Sequence, residues 1–149
     1  MRLIPLAAAA FAPFGTVSDA AEQAEVGPIW NGREAVGPKL RWSLSSVVGL
    51  PCRATVMERH RQSSQCFIPC DPATRWLVLV APRDAAGGPD MARATAFEAT
   101  GAQALTYAPN TWHHPLAAIG TAARFAVLTH LDGGPDDTEF RNITAVDVW

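Results

Sequence analysis

Charged residues are scarce in this sequence. They make up 17% of its 149 residues, and the 12 Lys and Arg nearly balance the 14 Asp and Glu, which leaves a formal net charge of −2. The basic residues are scattered, so no basic stripe indicates binding to nucleic acid or to a membrane surface. No apolar run approaches the roughly 20 residues that a membrane-spanning helix needs. We therefore predict neither a nucleic-acid nor a membrane partner.

Cysteine is also scarce. The sequence has three cysteines, Cys52, Cys66 and Cys70, and no CxxC pair. An odd number without this spacing argues against a disulfide framework or a structural zinc site and favours reduced thiols. Hydrophobic residues make up 48% of the chain, enough for the core of one domain, which we place over residues 1–149. The low charge and the five tryptophans indicate an apolar face for self-association.

Short strands separated by turns dominate the pattern. The segment KLRWSLSSV alternates, with Leu40, Trp42 and Leu44 on one face, and WLVLVAP is apolar throughout, typical of a strand buried on both faces. Further strand segments are RATVMERH, CFIP, RATAFEA, ALTYAP, RFAVLTHL and ITAVDVW. Turn-forming loops lie between them, and their aspartates (Asp84, Asp90, Asp136, Asp137) are predicted to form turns. The pattern predicts an all-β sandwich or barrel.

The first fifteen residues, MRLIPLAAAAFAPFG, permit two interpretations. Arg2 followed by an apolar run and alanines imitates a signal peptide. The basic region is a single residue, however, and Pro5 interrupts the run. RLIPL also fits a first strand, and AAAAF fits a short helical turn, the main helix that we expect.

Polar side chains in two distant segments indicate a shared pocket. Glu58 and His60 alternate along a strand and therefore share a face, and Gln65 follows five positions later. The segment NTWHHPL places two of the four histidines side by side. Because neighbours in a strand point to opposite faces, either His113 or His114 can join the pocket. The alternative is a pair of half-buried histidines beside a solvated surface.

The spacing Glu58-x-His60-x-x-x-x-Gln65, followed by His113 or His114, resembles the metal-binding pattern of cupin barrels. Glu58 takes the place of the first histidine of that pattern, and Gln65 takes the place of its acidic residue. Imidazole nitrogen and carboxylate oxygen suit a divalent ion such as nickel, manganese or zinc. An amide is a poorer ligand than a carboxylate, so a metal-free site stays open.

Longer segments resemble the ureidoglycolate lyase family. These are ERHRQSSQCFIP followed by WHHPL, FAPFGTVSD, NGREAVGPKLRW, PDMARATAF, and LTHLDGG followed by DDTEF. The resemblance implies a cupin-like antiparallel β-barrel or jelly roll, a cytoplasmic homodimer, and cleavage of ureidoglycolate to glyoxylate and urea in allantoin (purine) breakdown. Asp132 departs from the family's pattern by one position toward the glycines.

The resemblance also implies roles for individual residues. We predict that His60, His113 and Glu58 are catalytic, with imidazoles suited to proton transfer near neutral pH. The predicted substrate-binding residues are Gln65, Asn31, Arg41, Trp112 and Tyr107. Arg33 is an alternative to Arg41 for pairing with a carboxylate, Trp112 fits a core position equally well, and Tyr107 fits a partly buried position at the rim. Another cupin metalloenzyme, either an oxygenase or an isomerase, or a non-catalytic protein that binds small acids remain alternative functions.

Overall fold

The computed structural model describes residues 1–20, 27, 29–32 and 37–149. Its strands are β1 (Leu3–Pro5), β2 (Gly15–Asp19), β3 (Lys39–Leu44), β4 (Ser46–Val48), β5 (Cys52–Arg59), β6 (Gln65–Pro69), β7 (Arg75–Ala81), β8 (Thr95–Thr100), β9 (Gln103–Tyr107), β10 (Trp112–His113), β11 (Ala117–Ile119), β12 (Arg124–Thr129) and β13 (Glu139–Val148). A helix, α1 (Ala8–Phe11), and a 3-10 turn (Met91–Arg93) accompany them. The predicted all-β class, with a short helical turn near the start, is confirmed.

The described strands form two sheets. The first has the order β1-β8-β7-β10-β5-β13, with β11 joining β7 to β4, and the second has the order β2-β9-β6-β12-β3. Pairing is antiparallel except where β1 meets β8 and β11 meets β4. This arrangement of curled antiparallel sheets is the predicted cupin-like jelly roll. Within the described ranges, no helix is long and apolar enough to cross a membrane.

The first sheet carries an apolar core on each face. Phe67 and Phe125 of the second sheet pack against Trp76 of β7 between the sheets. Leu77 and Leu79, which alternate with the inward residues of β7, belong to a second cluster on the opposite face. Strand β7 is therefore buried on both faces, as predicted. Each large apolar side chain that is fully buried contributes about 1.5–3 kcal/mol to folding.

Strand β3 lies at one end of the second sheet and presents different side chains on its two faces. Lys39 and Arg41 pair with Thr129 and Val127 of β12, whose side chains are buried between the sheets. Paired residues point to the same face, so Lys39 and Arg41 face inward. The outward face carries an apolar stripe of Leu40, Trp42 and Leu44, with exposed fractions of 67%, 70% and 71%.

Candidate active site

A cavity of about 830 Å³ lies where the core between the sheets gives way to polar side chains. Lys39 and Arg41 of β3 form one wall, and the loop 130–138 forms another. Glu58, His60 and Gln65 line the cavity from β5 and β6. Because these residues come from both sheets, the fold itself brings the separate polar segments together.

Three side chains converge at this cavity. Glu58 lies near the end of β5, His60 follows that strand, and His113 of β10 is paired with Glu58. One ligand atom of each residue lies within 4.8 Å of those of the other two. The Nε2 atom of His113 lies 3.3 Å from Oε1 of Glu58 and 3.2 Å from Oε1 of Gln65. The structure thus gathers four of the predicted site residues.

Main-chain carbonyls orient both imidazoles. The Nδ1–H group of His113 donates to the Thr111 carbonyl at 2.9 Å, and that of His60 donates to the Asp137 carbonyl at 2.9 Å. A carbonyl oxygen only accepts, so the proton of each neutral ring lies on Nδ1. In the neutral rings each Nε2 therefore carries a lone pair, and Nε2 of His113 lies 3.3 Å from Oε1 of Glu58. Nε2 of His60 is buried and has no hydrogen-bond partner among the described residues.

The protonation states follow from the surroundings. Burial lowers the pKa of His60 below its ordinary value, and the neighbouring His113 imidazole lowers it further, so His60 is neutral at neutral pH. Burial of Glu58 opposes its ionisation. A proton between Nε2 of His113 and Oε1 of Glu58 forms a hydrogen bond. This bond, together with the nearby imidazoles, outweighs burial, so the pKa of Glu58 lies below its ordinary value. Glu58 is therefore a carboxylate beside two imidazoles.

Two lone pairs and a carboxylate repel one another unless a proton or a cation lies between them. Imidazole nitrogen and carboxylate oxygen are also the ligands that divalent transition metals favour. Among the described residues, the buried Nε2 atom of His60 has no hydrogen-bond partner, which is typical of an atom that coordinates an ion. Glu58, His60 and His113 therefore form a possible metal-binding triad.

The comparisons with known proteins decide the family. Residues 1–147 match the family model described as ureidoglycolate lyase. A ureidoglycolate lyase of Brucella ovis is 39% identical over 138 residues, which cover 83% of this chain and 79% of that protein. Ureidoglycolate lyases of Burkholderia mallei and Burkholderia cepacia are 34% and 35% identical, and the matches cover 86% and 91% of this chain and 81% of each relative.

The chain belongs to the ureidoglycolate lyase family. The predicted family is confirmed, and with it the expectation of an enzyme of the lyase class. Among solved structures, a dTDP sugar isomerase from Desulfovibrio desulfuricans matches with a TM-score of 0.50 and 20% identity, over 85% of this chain and 80% of that one. At this identity the likeness supports the predicted fold alone.

The loop 130–138 positions the imidazole of His60. Asp137, predicted only as a turn former, is buried, and its carboxylate accepts from the Gly133 amide at 2.5 Å. Gly133 has a φ of +90°, which favours glycine. The same Asp137 provides the carbonyl that binds His60, and Thr138 Oγ1 lies 3.1 Å from the same ring nitrogen. The loop therefore fixes the orientation of the imidazole.

Tyr107 supports the other imidazole. Its ring stacks on His113 with centroids 4.1 Å apart and an interplanar angle of 15°. Tyr107 is 3% exposed, so it lies behind His113 and not at the rim. Burial, followed by the charge of Glu58, raises the pKa of Tyr107 above its ordinary range. The phenol is therefore neutral, and the structure gives Tyr107 a supporting position beside the site.

His113, and not His114, joins the triad. His113 faces inward on β10, whereas His114 is half-buried after the strand and its Nδ1 lies 2.8 Å from the Pro115 carbonyl. Trp112 requires a correction, because it does not line the cavity. Trp112 neighbours His113 and therefore points to the opposite face of the sheet. There it is fully buried in the cluster that contains Leu77 and Leu79, and the guanidinium of Arg59 lies 4.4 Å from its ring centroid.

The remaining predicted residues lie in different places. Arg41 lines the cavity as expected, and so does Asp132, whose carboxylate accepts from the Gly134 amide at 2.7 Å. Asn31 forms an isolated bridge with Ser63, outside the cavity lining, and its substrate-binding role stays a prediction. Arg33 lies outside the described residues. Sequence reasoning missed Lys39, since it considered only arginines for the carboxylate.

Proposed function

We propose that this chain cleaves ureidoglycolate into glyoxylate and urea. The observation that carries the proposal is the convergence of Glu58, His60 and His113 at a cavity that also holds cationic side chains, in a chain of the ureidoglycolate lyase family. Ureidoglycolate is a small anion with a hydroxyl group and a ureido group on one carbon. The cavity offers acceptors for its polar hydrogens and positive charge for its carboxylate.

Glu58 is the proton carrier in this proposal. The reaction removes the hydroxyl proton, breaks the carbon–nitrogen bond with its electron pair going to nitrogen, and adds a proton to that nitrogen. Glu58 is ionised and uses Oε1 toward His113, which leaves its second oxygen to take the hydroxyl proton. Because the hydroxyl oxygen and the urea nitrogen share one carbon, the same carboxyl group can return the proton to the departing urea.

His60 and His113 have a different role from the proton transfer that we predicted from sequence. Their Nδ1–H groups donate to carbonyls, so in the neutral rings each Nε2 carries a lone pair that can bind an ion. We propose that they hold a divalent ion together with Glu58, with the amide oxygen of Gln65 as a further contact. When bound, such an ion would act as a Lewis acid and lower the pKa of the substrate's hydroxyl group.

The test is turnover of racemic ureidoglycolate, with glyoxylate and urea measured separately. We expect equal amounts of the two products from the wild type and loss of both after treatment with a chelator. His60→Ala and His113→Ala should lose activity. Arg83→Ala, which removes an exposed arginine distant from the cavity lining, should keep it. Absence of either product from the wild type would refute the proposal.

A second candidate is an iron-dependent oxygenase. Two histidines and one carboxylate are the ligands of many non-haem iron oxygenases, and the triad has this composition. Oxygen consumption after addition of Fe(II), without release of urea, would favour this candidate. Release of urea in the absence of oxygen would favour the lyase.

We also propose a homodimer formed through the apolar stripe on β3. Antiparallel pairing of two β3 strands about a twofold axis at Trp42 would place Leu40 opposite Leu44 and Arg41 opposite Ser43. The stripe is thus self-complementary, and no two cations face each other. Pairing would also cover the exposed edge and three apolar side chains.

The dimer is tested by light scattering at micromolar concentration. Trp42→Lys would place like charges opposite each other and should give monomers. Trp149→Lys, a change at another exposed tryptophan, should leave the dimer intact. A monomeric wild type, or a dimer that survives Trp42→Lys, would contradict the arrangement.

The cellular setting is part of the same proposal. We propose a single domain, acting in the cytoplasm in the breakdown of allantoin. The match of the family model over residues 1–147 supports the single domain. Cys52, Cys66 and Cys70 are free thiols, as expected for a reducing compartment.

A further inference from the structure

The only lysine of the sequence lines the candidate active site. Lys39 begins β3 and pairs with Thr129 of β12, which pairs with Gln65 of β6. The three side chains therefore form one row on the inward face of the second sheet. Gln65 is the member of this row that contacts His113. The main chain at Lys39 lies two strand spacings from it, about 10 Å away.

Lys39 is also a cation without an ion-pair partner in the part of the chain that the structure describes. Most arginines in that part have one, namely Arg53, Arg59, Arg61, Arg75, Arg93 and Arg141. The acidic groups beside Lys39 have other contacts. Asp132 and Asp137 accept from glycine amides, and Glu58 faces His113. Its positive charge is therefore left for a ligand.

We propose that Lys39 binds the carboxylate of the substrate and makes the site selective for anionic ureido acids over neutral ones. This inference rests on the proposed function and assigns the substrate's charged group to a residue. An ammonium group at the rim of a cavity attracts a carboxylate through charge and hydrogen bonds. Its position opposite the triad would direct the hydroxyl-bearing carbon toward Glu58.

Register explains why Lys39 is favoured over Arg41. Arg41 pairs with Val127, which pairs with Phe67, and both of these partners are buried in the apolar core. The strand partners of Arg41 therefore belong to the core, whereas those of Lys39 are Thr129 and Gln65 at the polar end. Arg41 adds a second positive charge to the same wall.

The experiment compares Lys39→Met, which keeps the length of the side chain and removes its charge, with Lys39→Arg. Arg83→Met is the matched control, because it removes an exposed cation elsewhere. KM and kcat are measured for ureidoglycolate. Binding of glycolate and of its neutral amide, glycolamide, is measured by calorimetry, and thermal unfolding shows whether each variant is folded.

For Lys39→Met we expect KM and the Kd of glycolate to rise about tenfold, as for loss of a hydrogen bond to a charged group, with kcat changed less than about twofold. Glycolamide binding should not change, and Lys39→Arg should restore most of the affinity. An equal loss for glycolate and glycolamide, or glycolate binding within about twofold of the wild type, overturns the assignment. If the wild type binds glycolate but does not cleave ureidoglycolate, the proposed function fails while the binding data still decide the role of Lys39.

Discussion

Two carboxylates at neighbouring positions of the paired strands β5 and β13 have opposite surroundings. Glu139 accepts hydrogen bonds from Arg59 at 2.9 and 2.7 Å, from Arg61 at 2.8 and 2.5 Å and from Arg141 at 3.1 Å. Oε1 of Glu58, which lies next to Arg59, is 3.3 Å from Nε2 of His113.

In our proposal the comparison separates a carboxylate that stabilises the fold from one that takes part in catalysis. Glu139 is surrounded by donors, so its charge is neutralised within the protein and it holds Arg59, a buried arginine that also donates to the Gly87 carbonyl. Glu58 has no arginine partner among the described residues, and in our proposal a proton or a cation between it and His113 balances its charge. The proposal thus assigns stability to Glu139 and chemistry to Glu58, two similar residues in paired strands.

The largest effect that we expect is that of Glu58→Gln on turnover. The amide keeps the shape but cannot carry the proton, so kcat should fall by about 10²–10⁴-fold. Thermal unfolding should change little, because Glu58 is not part of an arginine network. Glu139→Gln is the matched variant and should keep most of the activity. Comparable losses of activity in Glu58→Gln and Glu139→Gln would contradict the different roles assigned to these two residues.

The affinity for a divalent ion should depend on the histidines. Removal of one of three protein ligands by His113→Ala should weaken binding of Zn²⁺ at least about tenfold, as measured by competition with a chelating dye. His114→Ala should leave it unchanged within about twofold, since His114 lies outside the triad. Equal affinities for all three proteins would show that the triad does not bind the ion.

Glu139 should contribute to the stability of the fold. Glu139→Gln leaves the buried Arg59 with a weaker partner, and we expect a loss of about 2 kcal/mol in the free energy of unfolding. Chemical denaturation at neutral pH measures this loss. An unchanged midpoint would show that the arginine cluster does not stabilise the fold.

Low pH should weaken the ion pairs between Glu139 and its three arginines. Burial opposes ionisation of Glu139, but hydrogen bonds from Arg59, Arg61 and Arg141 lower its pKa from 4.5 to about 2. Because the pKa is lowered in the folded state, the stabilisation is complete above about pH 4.5 and declines as the pH falls toward 2. The difference in unfolding free energy between wild type and Glu139→Gln should shrink across this range. A constant difference would contradict the assignment.

The fold and part of the site could be predicted from sequence because they depend on local patterns. Alternation and turn residues indicated the strands, and the period of two placed Glu58 and His60 on one face. That His113 and not His114 faces inward depends on the pairing of β10 with both β5 and β7, which no local pattern reveals.

Other features depend on register between strands that are distant in the sequence. The alternation of Leu40, Trp42 and Leu44 was visible, but the pairing of β3 with β12 turns these residues outward and Lys39 inward. For Trp112 the sequence left a cavity wall and a core position equally open, and the structure places it in the core because it neighbours the inward-facing His113. The roles of Tyr107 and Asp137 depend on contacts with imidazoles that only the folded chain brings near.

The most direct test of the convergent triad is a titration of chelator-treated protein with a divalent ion while ureidoglycolate turnover is followed. We predict that release of glyoxylate and urea in equal amounts rises in proportion to added ion and reaches a plateau at about one ion per chain. Full activity in the metal-free protein, or no turnover at any amount of nickel, manganese or zinc, would contradict the account.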